Sequence, residues 1–261
     1  MFVAQLVALI DRLAPVHLAE DWDNVGLIVG RHNRTVRRVL VALELRGDVL
    51  QEARERGCDA IVVHHPPIFP AVPALTDAAP AQELVLTAAE ERIAVVAAHT
   101  NLDSAAGGLN DQMAGMLGLR DVRPLAPAAG DPAAGLGRVG TVPPAPLEAL
   151  VRRVAAEIPG AVSYSGDPGV QVARVACCTG SGASMIGDAR AADAEVFVTS
   201  DLKYHDHDRA EGMPLIAVPH AQVERLAMRR WFRGFARQLH ADGVESAFAD
   251  TDTDPWQSVG R

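Results

Sequence analysis

The sequence predicts an α/β protein built from two related layers of sheet and helix. Three observations lead there. Short β-branched runs of strand length alternate with longer amphipathic segments, the mark of sheets covered by helices. Of the 261 residues, 49% are hydrophobic, enough for a sizeable core in one large domain or two small ones. Four of the apolar runs end in turns carrying histidine or carboxylate, and ligands bind beyond the carboxyl ends of strands in open α/β sheets.

The elements follow in order. Phe2, Leu6, Leu9, Ile10 and Leu13 recur at helical spacing, and Pro15 ends that helix. A strand over Arg38–Leu43 precedes a helix at 48–56 that Gly57 closes. The strand ending "IVV" (61–63) leads to His64 and His65, which Pro66 and Pro67 restrict. A Pro- and Ala-rich loop crosses to a helix at 81–91. A strand at 93–98 stops at His99, and a helix after Gly108 completes the half.

The stretch "PLAPAAGDPAAGLG" (124–137) reads as a linker. The expected division is therefore a first half at 1–124, a linker at 125–136 and a second half at 137–261, with the helix and strand after about 220 packing back on the first half. In the second half we expect strands at 138–142, 170–177, 195–199, 215–218 and 244–249. Helices are expected at 146–158, from the turn "TGSGAS" (179–184) to about 192, briefly after 200, and from 220 to 240.

Composition excludes several classes. A formal charge of −9 argues against binding a phosphate backbone. The arginines of "RLAMRRWFRGFAR" (225–237) read as the basic face of an ordinary amphipathic helix. Three cysteines, Cys58, Cys177 and Cys178, make no disulfide framework and read as small apolar fillers. The N-terminus lacks a basic leader and carries Asp11 and Arg12 in its apolar stretch, and no run reaches membrane-spanning length. A cytoplasmic protein is expected.

Chemistry concentrates at the strand ends. His64 and His65 follow one strand; His99 and Asp103 follow another; Asp201, His205 and His207 follow a third; His220 and Glu224 follow the last. Imidazole and carboxylate without thiolate suit a divalent first-row metal. His220 and Glu224, four apart at a helix start, share a face. Neighbours in a strand point to opposite faces, but where the chain turns at Pro66 both imidazoles can reach one pocket. Each residue also has a plainer reading: Asp103 as a helix cap, Glu224 as an exposed helix residue, and His17, His32 and His240 as surface histidines. "TGSGAS" lacks the Walker spacing and its lysine, so a tight turn is expected in preference to a phosphate cradle. No Gly-x-Ser-x-Gly elbow is present.

The segments "DWDNVGLIVG", "VVHHPPIF", "AAHTNLDSAAGGLNDQMA", "VTSDLKYHDHDRA" and "PHAQVE", spanning Asp21 to Glu224, together resemble the NIF3-like family of dinuclear metal centre proteins, also called GTP cyclohydrolase 1 type 2 homologues. The resemblance implies a NIF3-like fold with a metal site in the cleft between the two layers. Its implied ligands are His64, His65, Asp103, His220 and Glu224, with His99 lining the same pocket and sometimes ligating. It implies two divalent ions per chain (Zn, Fe, Mn, Co or Ni) and a homohexameric ring. Pro219 replaces the family's usual glycine before the last histidine, and Val223 stands where Thr is common; neither changes a ligand.

The chemistry such a site offers is hydrolysis of a phosphoester, amide or purine-type C–N bond in a small-molecule substrate by a metal-activated water. Lys203, the sole lysine, and His205 are candidates for anion binding or proton transfer, or for bracing the ligands. A non-enzymatic role in metal delivery or as a scaffold is the alternative. An open coordination position beside convergent polar groups separates the first from the second.

Overall fold

A computed structural model describes residues 1–69 and 72–257. Its first half contains α1 (Val3–Leu13), β1 (Gly26–Val29), β2 (Arg38–Glu44), α2 (Gly47–Glu55), β3 (Ala60–His65), α3 (Pro80–Glu90), β4 (Ala94–Ala97), α4 (Thr100–Ser104) and α5 (Leu109–Met116). There follow β5 (Arg120–Ala128), β6 (Asp131–Pro146), α6 (Leu147–Glu157), β7 (Ser163–Tyr164), β8 (Gln171–Ser181) and α7 (Ile186–Ala191). The chain ends with β9 (Val196–Ser200), α8 (Asp206–Arg209), β10 (Leu215–Ala217), α9 (His220–Ala241) and β11 (Glu245–Phe248). Residues 70 and 71 of the expected Pro- and Ala-rich loop lie outside the described residues.

The chain divides into two compact units. One comprises Met1–Leu102 with Met228–Thr253; the other comprises Asp103–Ala227 with the segment from Asp254. The first unit holds a five-stranded sheet in the order β1-β4-β3-β2-β11. Its three pairings among β4, β3, β2 and β11 are parallel, and β1 joins the edge antiparallel. Five consecutive residues of β2, Val39 to Leu43, are buried, as a strand covered on both faces requires. Leu40, Ile61, Val63 and Val95 pack with Val49, Leu50 and Ala53 of α2 and Val85 and Ala88 of α3. β11 lies in this sheet because its backbone pairs with β2 from Glu245↔Arg38 to Phe248↔Val41.

The second unit holds a six-stranded mixed sheet in the order β5-β6-β8-β9-β10-β7. Only β8, β9 and β10 run parallel. Phe197, Ala176 and Leu215 pack there with Met185, Ile186 and Ala189. Two expectations are corrected here. The stretch read as a linker, 125–136, is the turn region of an antiparallel pair formed by β5 and β6. Pro124 and Pro127 lie in β5, an edge strand, where a missing N–H costs no ladder bond on the open side. Gly130, at φ +81°, turns the chain between the strands. Likewise "TGSGAS" does not open a helix directly: β8 continues to Ser181 through an irregularity between Cys177 and Ser181, and a short 3-10 turn precedes α7.

Candidate metal centre

In the first unit, β3 runs through both histidines, and Glu44 of β2 is the register partner of His65. His64 is fully buried and His65 half-buried. Although they are neighbours in an extended chain, their rings approach to 5.1 Å between centroids, tilted by 40°. His99, two residues past β4, closes the group at 5.0 Å from His64 and 5.6 Å from His65. One nitrogen from each of the three rings lies within 4.8 Å of the others. The parallel pairing of β3 with β4 brings the carboxyl ends of both strands side by side, and that adjacency delivers residues 34 or more positions apart in sequence.

The groups around these rings fix their tautomers. His64 Nδ1–H donates to the Ala98 carbonyl at 2.9 Å, which leaves Nε2 with the lone pair. His99 Nδ1–H donates to Asp23 Oδ1 at 2.9 Å, and the Asp23 side chain has no solvent exposure. Asp23 also accepts from the Thr100 N–H at 3.0 Å and the Thr100 hydroxyl at 2.5 Å. Burial alone would raise the Asp23 carboxyl, but the bonds from His99 and Thr100 outweigh it and hold the group well below the usual carboxylate range. Glu44 shows the same balance: burial raises its pKa, and His65, whose Nδ1 lies 3.9 Å from Glu44 Oε2, leads the effects that bring it down. Carboxylate behind imidazole is the arrangement that orients metal-ligating histidines and raises their basicity.

In the second unit, His220 begins α9 directly after Pro219. Its Nδ1 lies 2.6 Å from Asp201 Oδ2 and its Nε2 3.1 Å from Oε1 of Glu224, one turn along the helix. Asp201, immediately beyond β9, adopts φ +55°, a left-handed conformation that Asp tolerates better than most residues. Burial would lower the His220 pKa, but Glu224 and Asp201 outweigh it and raise it to about 9. Gly180 of β8, at φ +64°, faces this pair. A Cβ there would meet Glu224 Oε1 closer than any real Cβ contact and would come within 3.5 Å of His220 Nε2. Asp103 is buried and accepts at Oδ1 from the Thr179 hydroxyl at 2.9 Å. Asn110 Oδ1 accepts from the Thr179 N–H at 2.9 Å, while Asn110 Nδ2 donates to the Asp103 carbonyl at 3.1 Å.

The other predicted residues, on the segment that follows Asp201, make different contacts. His205 is 85% exposed, with Nδ1 3.6 Å from Asp208. Lys203 donates its N–H to Asp206 Oδ2 at 2.7 Å and lines a hollow of about 220 Å³ with Tyr164, Tyr204 and His207. The cysteines are fillers: burial pushes the thiols of Cys58 and Cys177 up to about 11 and about 12, and burial together with nearby Asp103 raises Cys178 well above its ordinary value. Strand-end reasoning passed over Asp23, Gly180, Asn110 and Thr179. Asp23 follows no strand, and a glycine offers no side chain to notice.

The donor set suits a divalent first-row ion: three imidazoles in one unit, imidazole and carboxylates in the other, and buried thiols kept protonated. Gly180 adds a second observation, since only a residue without a Cβ lets the Glu224 carboxylate lie this close to β8 beside His220.

Comparison with known proteins identifies the family and the fold. The family model described as Duf34/NIF3 (NGG1p interacting factor 3) matches residues 1–255. A Streptomyces coelicolor protein named "GTP cyclohydrolase 1 type 2 homolog" is 33% identical over 97% of this chain and 93% of its own. Drosophila melanogaster NIF3-like protein 1 is 29% identical over 98% of this chain and 89% of its own. Among solved structures, a Staphylococcus aureus hypothetical protein superposes with a TM-score of 0.91 at 27% identity, covering 99% of both chains. A Bacillus cereus protein related to NIF3 shares the fold with a TM-score of 0.92 at 22% identity, also over 99% of both.

Proposed function

This chain belongs to the Duf34/NIF3 family, and from that premise we propose that it is a dinuclear divalent-metal protein that catalyses hydrolysis. The proposed ligands are His64, His65, His99, Asp103, His220 and Glu224. The observation that carries the proposal is the meeting of three imidazole nitrogens within 4.8 Å, with His64 and His99 each turned by an acceptor on Nδ1. Divalent ions, when bound, supply Lewis acidity and bring the pKa of water towards neutrality.

The chain's own residues do the positioning. Asp23 orients His99 and holds its proton on Nδ1, which leaves Nε2 as the ligating nitrogen, while the Ala98 carbonyl does the same for His64. Asp201 holds the ring of His220 from its Nδ1 side. Asp103 is held by Thr179. Lys203 and His205 enter the proposal as solvent-facing groups for an anionic part of the substrate and for proton transfer. The name carried by the Streptomyces relative favours a purine-type C–N bond over a phosphoester or an amide. A homohexamer of the 27.6 kDa chain is proposed on the same family grounds, and light scattering reads it directly.

Elemental analysis of protein purified without chelator or metal-binding tag tests the proposal, followed by assays of the loaded protein against nucleotides, phosphodiesters and small amides. About two ions per chain, lost together with turnover in His64→Ala and Glu224→Ala, is the expected result. Metal lost with turnover unchanged refutes the hydrolase reading, and stoichiometric metal with no turnover favours metal delivery.

A further inference from the structure

We propose that Trp22 and Phe69 form a ring-stacking subsite beside the three histidines, which selects substrates carrying a planar heteroaromatic ring. The proposal deepens the metal-hydrolase reading and rests on it for the role of the neighbouring histidines. Large aromatic side chains normally dominate the buried interior. Here Trp22 is 57% exposed and Phe69 49%. They are not scattered. Their ring centroids lie 5.5 Å apart at 66°, and the Trp22 ring lies 6.1 Å from His99 at 74°. Trp22 therefore stands edge-to-face between exposed Phe69 on one side and His99 of the histidine group on the other.

Both rings are carried on anchored backbone. Asp23, the residue after Trp22, is fixed by His99 and by the Thr100 N–H and hydroxyl. Asn24 Nδ2 donates to the carbonyl of Ile68, the residue before Phe69, at 2.8 Å. The same short segment that orients His99 thus also presents Trp22 and ties it to the chain bearing Phe69. Exposed aromatic area held in place loses little freedom on binding, which is the character of a preformed subsite. Its chemistry fits a ligand with a flat π face and a polar edge, such as a nucleobase or a pterin. An aliphatic amide or a simple phosphoester has no face to offer it. Stacking of one base on an aromatic side chain changes affinity by about tenfold to a hundredfold.

The chain has three tryptophans; Trp231 is buried and Trp256 is 84% exposed, so in the full chain carrying Trp256→Phe a ligand-induced change in fluorescence reports on Trp22 over the constant emission of Trp231. The metal-loaded protein is titrated with GMP, AMP and CMP, and with ribose 5-phosphate as the probe lacking an aromatic ring. At least one nucleotide should quench the emission and bind ten times more tightly than ribose 5-phosphate. Trp22→Leu, followed by calorimetry, should remove about a factor of ten or more, Phe69→Leu a smaller factor, and Trp22→Phe should retain most of the binding. Equal binding of ribose 5-phosphate and all three nucleotides, no nucleotide binding at all, or unchanged affinity in Trp22→Leu would overturn the subsite. Metal content and turnover, measured on the same samples, keep the two readings apart. Quenching without turnover counts against hydrolysis alone. Turnover of ring-free substrates, untouched by Trp22→Leu, counts against the subsite alone.

Discussion

The backbone of Gly180 faces the carboxylate of Glu224 so closely that no Cβ fits between them. A strand residue, not a ligand, therefore sets the space in front of the His220–Glu224 pair. Gly180→Ala carries two penalties. Alanine at φ +64° costs about 1 kcal/mol against the left-handed region, and its methyl displaces Glu224. The variant should lose metal at this pair and melt at lower temperature. In a Glu224→Ala background the added methyl meets less resistance, so the stability penalty should shrink. Equal penalties in the two backgrounds would mean the contact has no energetic consequence.

Asp23→Asn preserves shape while removing charge from behind His99. The neutral amide can still face Nδ1, but it no longer enforces one tautomer or raises the basicity of the ring. Metal affinity of the three-histidine group should fall by about 10- to 100-fold, read by competition with a chromogenic chelator. Unchanged affinity would assign Asp23 to the folding of its loop alone.

The inner strands could be read from the sequence because β2, β3, β4, β8 and β9 are runs of buried β-branched and small residues. The helices announced themselves by period, as α1 does with Val3, Leu6, Leu9 and Ile10 buried on one side. What escaped was structure whose cause lies elsewhere in the chain. β5 and β6 carry linker composition, and β1 and β7 are four and two residues long, held by pairing with β4 and β10. The site divides in the same way. Histidines at strand ends are visible as residue types, whereas Asp23 acquires its meaning only when the fold brings it to His99, 76 positions away.

Arg138 is another residue whose role only the fold reveals. It is 1% exposed, and all five of its donors are matched. Two meet Asp111, at 2.5 and 3.0 Å; the others reach the carbonyls of Gly135, Gly137 and Ala105 at 2.7, 2.8 and 3.0 Å. Removing the guanidinium leaves the carbonyls of Gly135, Gly137 and Ala105 without their buried donor, at about 1–3 kcal/mol for each group left unsatisfied, and leaves Asp111, 29% exposed, without its partner. Arg138→Met should thus destabilise strongly in urea, and Arg138→Met with Asp111→Leu should recover part of the loss. No recovery would indicate that the orphaned carbonyls, and not Asp111, set the cost.

Glu52 provides the pH test. Its carboxylate accepts from the N–H groups of Asp250 and Thr251 at 2.9 and 3.1 Å and from the Thr251 hydroxyl at 2.7 Å, and it pairs with Arg56 at 2.8 Å. Burial would raise its pKa, but these partners outweigh it and bring it down. A carboxyl depressed in the folded state contributes its stability above the unfolded value, near about 4.3, and loses it as pH falls through the lower folded value. Glu52→Gln should therefore cost about 1–3 kcal/mol at neutral pH, the gap to wild type narrowing below about pH 4 as the native carboxylate is protonated. Urea unfolding across that range measures the gap directly. A constant difference down to acid pH would show that the contacts of Glu52 act through shape and not through charge.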